Sequence, residues 1–247
     1  MSLFNEKLKK ITLKETLSFF LALFIIQYLL NSLNSVHIDT VWIYIFIIFF
    51  FIFKLKDEIP NAKDDISKAF SLDTLKLIFF VVILNIFLSY GMLYLSNFVL
   101  GIVPSGNLFN SFLSGSLLAT IIISPISEEL IFRGVFLNRL RLIIPTTFAI
   151  LVSSLLFASM HGFGSIFSAF VFGVCVAILY LKTESIFVPI FAHFLNNLLA
   201  EIIAAVDCNN LLFTNDLIIL VMSLLAILSL IFISISVVKE FKYYNNK

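Results

Sequence analysis

Two adjacent carboxylates, Glu128 and Glu129, and an arginine, Arg133, sit inside the otherwise apolar run Ser124-Pro125-Ile126-Ser127-Glu128-Glu129-Leu130-Ile131-Phe132-Arg133-Gly134. A charge at bilayer depth costs about 3 kcal/mol or more, so such residues are either paired or functional. Successive helical residues are about 100° apart, so the two glutamates cannot face the same place. Arg133 follows Glu129 by four residues, the favourable order for a helical ion pair. The expectation is a division of labour. Glu129 and Arg133 neutralise each other, and Glu128 points elsewhere as a candidate general base. Pro125, three residues before Glu128, removes a backbone donor and is expected to kink the helix at the site.

The chain has three histidines. His37 falls in a predicted outer connection and is given no role. His161 ends the run Phe157-Ala158-Ser159-Met160-His161, where Phe157 shares its face one turn earlier and would wall the site. His193 opens His193-Phe194-Leu195-Asn196-Asn197, with Asn197 on its face at i+4. Singly, each imidazole reads as a structural polar residue as readily as a functional one; with Glu128 as a common partner they converge on chemistry. Glu128 and His161 can bind and deprotonate a water. His193 and Asn197 can donate hydrogen bonds to a developing oxyanion, a role that suits an amide because it never ionises. This is a plan for hydrolysing an acyl bond such as a peptide. The chain has no Gly-x-Ser-Gly nucleophile turn, no Gly-x-Gly-Asp site and no His-Glu-x-x-His helix, and Cys175 lacks a histidine at a readable spacing. No cofactor or metal is expected. Were the protein metal-dependent, Glu128, His161 and His193 would be the ligands, a His2Glu set that suits catalytic zinc.

What must position these residues is a membrane domain. Of 247 residues, 61% are hydrophobic and 13% charged, with a mean hydropathy of +1.10. A soluble domain is nearer a quarter charged. The fold class expected is an all-α polytopic membrane protein that forms one domain over residues 1–247, with its core catalytic helices at about 111–206. A net charge of +1 argues against a nucleic-acid partner. The implied partners are the lipid bilayer and a peptide or protein substrate within it. Abundant Ile, Phe, Lys and Asn point to an AT-rich bacterial genome. The first apolar segment is too long for a signal peptide and lacks a small-residue cleavage site, so it is expected to remain as a helix. Cys175 and Cys208 fall at different predicted depths, which suits free thiols better than a disulfide.

Eight spans are expected, at about 16–33, 39–55, 74–97, 111–132, 143–161, 163–181, 185–206 and 215–237. The 16 Lys and Arg residues test the count: all lie near a terminus or an even-numbered connection, at 7–14, 54–76, 133–141, Lys182 and 239–247. The connections around His37, Gly106, Gly162 and Asn209 hold none. This is a positive-inside pattern with both termini cytoplasmic, in a cell membrane. The segment from Lys54 to Asp73, rich in both charges and interrupted by Pro60, is expected to be a solvated cytoplasmic loop with one interfacial helical turn. Ser165, Ala169, Gly173 and Ala177, at every fourth position, make a stripe for close helix packing. Counted at about 1.5 Å per residue from the basic ends, Glu128 and His193 lie at roughly 16 and 12 Å, but His161 at roughly 25 Å. The three meet only if the fifth span is short, tilted or begins below the surface.

In these motifs the sequence resembles the CAAX-protease and bacteriocin-processing (CPBP) family of intramembrane endopeptidases. The resemblance rests on Glu128-Glu129-x-x-x-Arg133 with its trailing Gly134, then Phe157-x-x-x-His161, then His193-x-x-x-Asn197, in the family's order and spacing. Each motif alone is weak, and the ordered triple is specific. It covers about 111–200; the other spans match only as generic membrane helices. The resemblance implies that Glu128, His161, His193 and Asn197 form the site, that Glu128 and His161 activate the water, and that the mechanism is a metal-independent glutamate one. It further implies maturation or degradation of small peptides, or immunity to bacteriocins, in a bacterial member. Competing readings are a zinc-dependent membrane hydrolase, a non-enzymatic immunity or scaffold protein and, more weakly, a transporter.

Overall fold

The structure, a computed structural model, describes residues 2–32, 40–100, 117–161, 166–207 and 211–246. His37, Ser165, Cys208 and the first part of the expected span at 111–132 lie outside these residues. In chain order the elements are α1 (Leu3–Lys10), α2 (Leu13–Ser32), α3 (Thr40–Leu55), a 3-10 turn (Lys56–Ala62), α4 (Lys63–Ala69) and α5 (Leu72–Leu100). An interrupted helix follows, made of a π segment (Ala119–Ile123), α6 (Ser124–Glu129), a second π segment (Leu130–Leu137) and α7 (Asn138–Leu140). Then come α8 (Thr146–Ala158), α9 (Ile166–Thr183), α10 (Phe187–Val206), α11 (Leu211–Thr214) and α12 (Asp216–Asn245). The described residues are thus helical throughout. Lipid leaves no other way for a single apolar segment to satisfy its own backbone.

Five of these helices, α2, α5, α9, α10 and α12, are long and apolar enough to cross a membrane. The remaining expected spans correspond to α3, with 16 residues, to the interrupted helix, and to α8, with 13. At about 1.5 Å per residue, α8 is only about 20 Å long. The fifth expected span is thus short, one of the conditions named above for His161 to meet the other site residues.

The helices form layers around α9. Two thirds of the α9 span is buried (67%), against 6% for α2, whose Leu21, Phe24 and Ile25 face outward. Small residues set the closest approaches. At Gly91 of α5, an added Cβ would overlap Ala226 of α12. At Gly173 of α9 it would meet Ser154 of α8 at 3.1 Å and the Arg133 guanidinium and Phe157 ring at 3.3 Å. Such positions let backbones approach where lipid offers no hydrophobic drive for association. Cys175 is a free thiol buried with Leu88, Val171 and Ile233.

The basic N-terminus folds back against the core. Ser2 caps α1 by accepting from the Asn5 amide. Leu8 packs against Gly134, and Arg139 Nε donates to the Ile11 carbonyl at 2.7 Å. Asn5 is fully buried; its amide donates to the Glu184 carbonyl, and its oxygen accepts from the Tyr180 hydroxyl at 3.2 Å. Lys7 pairs with Asp57 at 3.1 Å and holds that carboxyl below its usual pKa. The 54–73 segment, expected to be solvated, is only partly so. Asp65 is fully buried, its side chain accepting from Ser2 and from Lys68 at 3.0 Å and its carbonyl from Ser185 at 2.7 Å. A buried residue whose carboxylate meets two donors and whose carbonyl meets a third ties α1, α4 and the start of α10 together.

Candidate active site

The interrupted helix places the glutamates. Pro125 stands in the first turn of α6, where its missing N–H breaks little. The distortion expected there takes the form of widened turns on either side. In the first, the Ser124 amide reaches back to the Ala119 carbonyl. In the second, the Asn138 side chain donates to the Arg133 and Gly134 carbonyls at 3.0 and 2.9 Å, satisfying acceptors that the regular ladder would have used. π turns of this kind recur at functional sites.

Glu129 and Arg133 form the i, i+4 ion pair, Nη1 to Oε1 at 2.9 Å, with both side chains fully buried. Arg133 also donates from Nη2 to the Gly173 carbonyl at 3.1 Å and lies 4.6 Å from the centre of the Phe157 ring. One guanidinium therefore joins the site helix, α8 and α9. Glu129 has a second partner that spacing does not reveal: His193 Nδ1 lies 2.9 Å from the same Oε1. A carboxylate oxygen only accepts, so Nδ1 carries a hydrogen. The opposite nitrogen, Nε2, is then turned to Glu128, 4.0 Å from its Oε2. That gap is the width of a bridging water rather than of a direct hydrogen bond.

Glu128 is nearly buried, and its Oε1 accepts from the Ser124 hydroxyl one turn earlier. Tyr44 of α3 reaches the same carboxylate and the same serine. His161 and His193 both lie against the Phe157 ring, with ring centroids 4.7 and 5.6 Å from it respectively. His161 Nδ1 is 3.1 Å from the Phe157 carbonyl, which fixes the hydrogen on Nδ1 and leaves the Nε2 lone pair free. Glu128 lies within electrostatic reach of this imidazole. Phe172 closes the far face of His193 at 5.4 Å.

Asn197 is anchored to the first π segment, with Nδ2 donating to the Thr120 carbonyl at 2.9 Å. Its oxygen accepts from Asn196 at 3.4 Å, and Asn196 accepts in turn from Asn85 of α5 at 2.8 Å. This ladder fixes the amide and leaves its second N–H uncommitted.

Sequence reasoning did not find Tyr44, Ser124, Asn85 or Asn196. Ser124 carries a signal, its i−4 spacing from Glu128; Tyr44 and Asn85 carry none, since both lie in generic apolar helices. Among the described residues, no group of three His, Cys, Asp or Glu side chains has a metal-holding geometry.

A multi-pass helical membrane protein with carboxylates, imidazoles and an amide gathered between its helices is the class that this fold and site define. Comparison with family models makes the assignment narrower: residues 110–199 match the model of the type II CAAX prenyl endopeptidase Rce1-like family. The matched stretch contains all three motifs, in agreement with the resemblance read from them. A search of the curated proteins and a search of the solved structures each found no match.

Proposed function

We propose that this chain is an intramembrane endopeptidase of the glutamate type, cleaving a peptide bond of a small membrane-associated peptide or protein. The observation that carries the reading is the 4.0 Å gap between Glu128 Oε2 and His193 Nε2, beside His161 and Asn197. A water bound by Glu128 would take the free nitrogen of His161 as its second partner. Glu128 takes the proton as the water oxygen bonds to the scissile carbonyl carbon. The carbonyl oxygen becomes an oxyanion, met by the spare Asn197 N–H and by His193 Nε2 when that nitrogen carries a hydrogen. Collapse breaks the C–N bond, and the proton returns from Glu128 to the leaving amine. Glu128, His161, His193 and Asn197 are the catalytic set, and Glu129, Arg133 and Phe157 support them. The topology proposed is eight spans with both termini cytoplasmic, in a bacterial cell membrane, supported by the one-sided distribution of Lys and Arg. Peptide maturation or bacteriocin immunity is the role that follows.

The test is substrate trapping with Glu128→Gln, with mass spectrometry of the bound peptides. Peptides that accumulate on the variant and are cleaved by the unaltered chain support the reading. A Glu128→Gln variant with unchanged phenotype and normal membrane levels would instead mark a non-enzymatic partner.

A further inference from the structure

Helix α10 carries a third polar side chain that this chemistry does not use. Glu201 follows Asn197 by four residues and His193 by eight, so the three run along one side of the helix. Glu201 is about 6 Å further along the axis than Asn197. It is only 6% exposed, and its Oε1 has no hydrogen-bond partner. In contrast to Glu129, it forms no ion pair among the described residues.

Among the described residues no Lys or Arg pairs with it, and the sequence places few near it. No Lys or Arg occurs between Lys76 and Arg133, between Arg141 and Lys182, or between Lys182 and Lys239. Arg133 is bound to Glu129, Lys182 to Glu240 and Lys76 to Asp73. The nearest acid in sequence, Asp207, is engaged in capping the Leu211 and Leu212 amides. A buried carboxylate oxygen without a donor retains its desolvation cost, and a cation arriving from outside the chain removes it.

We propose that Glu201 is a substrate-binding residue that takes a cationic nitrogen of the bound peptide. This rests on the reading of His193 and Asn197 as the side of the site that holds the scissile carbonyl. An extended peptide advances about 3.3 Å per residue, so 6 Å beyond Asn197 corresponds to about two residues from the scissile bond. The substrate class is thus an apolar peptide with a lysine or arginine close to its cleavage point. The oxyanion donors select for a carbonyl, and Glu201 selects for the charge beside it.

Binding of fluorophore-labelled decapeptides to the purified Glu128→Gln protein tests this without requiring turnover. The peptides are amino-acetylated leucine-alanine sequences with Lys, norleucine or Glu at a single position. The Lys peptide should bind at least about tenfold more tightly than its norleucine counterpart, a 1.4 kcal/mol difference. Adding Glu201→Gln, or Glu201→Leu should the first variant fail to fold, should remove that preference. An unacetylated norleucine peptide that gains affinity through Glu201 would place the cation at the peptide's amino terminus instead of on a side chain. A Lys preference that survives both substitutions, or no preference at all, overturns the proposal. Cleavage of the same peptides by the unaltered chain separates the two readings. Glu201-dependent binding without cleavage removes the peptidase but keeps the cation site, and cleavage indifferent to Lys does the reverse.

Discussion

His193 Nδ1 lies 2.9 Å from Glu129 Oε1, the same oxygen that accepts from Arg133 Nη1 at 2.9 Å. Glu129 is therefore more than a counter-ion for arginine. It is the joint between a structural clamp and a site imidazole, and it decides which nitrogen of His193 faces Glu128.

This predicts unequal glutamate variants. Glu128→Gln should lower kcat by about 10²- to 10⁴-fold, the range for a lost general base, with the melting curve in detergent unchanged. Glu129→Gln should lose activity and also on the order of 3 kcal/mol of stability, because Arg133 then remains buried without its charge partner. Turnover and thermal unfolding measured on both variants distinguish the roles. Matching behaviour of the two would sink the division.

Tyr44 holds Glu128 from a helix outside the motif-bearing region. Tyr44→Phe removes one hydroxyl and little packing, so the fold should persist. Losing a hydrogen bond to a charged group is worth about 1.5–3 kcal/mol, which translates into a fall in kcat of about tenfold or more. A turnover rate identical to that of the unaltered chain would remove Tyr44 from the site.

The contact between α5 and α12 at Gly91 is steric and can be tested as such. Gly91→Ala should destabilise by about 1–3 kcal/mol, the usual cost of forcing a methyl group into a filled interface. Ala226→Gly in the same chain should recover most of it, since the overlapping atom is the Ala226 Cβ. Failure of the second substitution to rescue the first would mean that these helices do not pack through these residues.

The N-terminal helix is predicted to matter for stability and through it for turnover. Leu8 is fully buried against Gly134, in the second π segment beside the site. Leu8→Ala should cost about 2–5 kcal/mol, as for other buried leucines, and activity should fall because the turn that presents Arg133 loosens. Protease sensitivity near the N-terminus and turnover, measured together, check both halves of the claim.

Much of the site was legible along the chain because a helix converts spacing into direction. Glu129 with Arg133, Phe157 with His161, and His193 with Asn197 each lie one turn apart and so share a face wherever the helix is placed. The same logic could have extended to Ser124 with Glu128 and to Glu201 with Asn197. Composition was equally direct: continuous apolar runs about 20 residues long read as helices in lipid.

What spacing cannot carry is any relation between helices. The sharing of Glu129 between Arg133 and His193, the reach of Tyr44 to Glu128 and the ladder from Asn85 to Asn197 all join residues more than 60 positions apart. Nothing local encodes those pairings. They arise from which helix faces meet when small residues such as Gly91 and Gly173 permit close approach. The sequence by itself determined that this protein is a helical membrane domain with a carboxylate, two imidazoles and an amide on definite faces. Only the tertiary structure decided that those faces turn toward one another, that Asp65 is buried, and that Glu129 and not Glu128 orients His193. Burial and side-chain hydrogen bonding across helices are properties of the packed assembly and not of any segment within it.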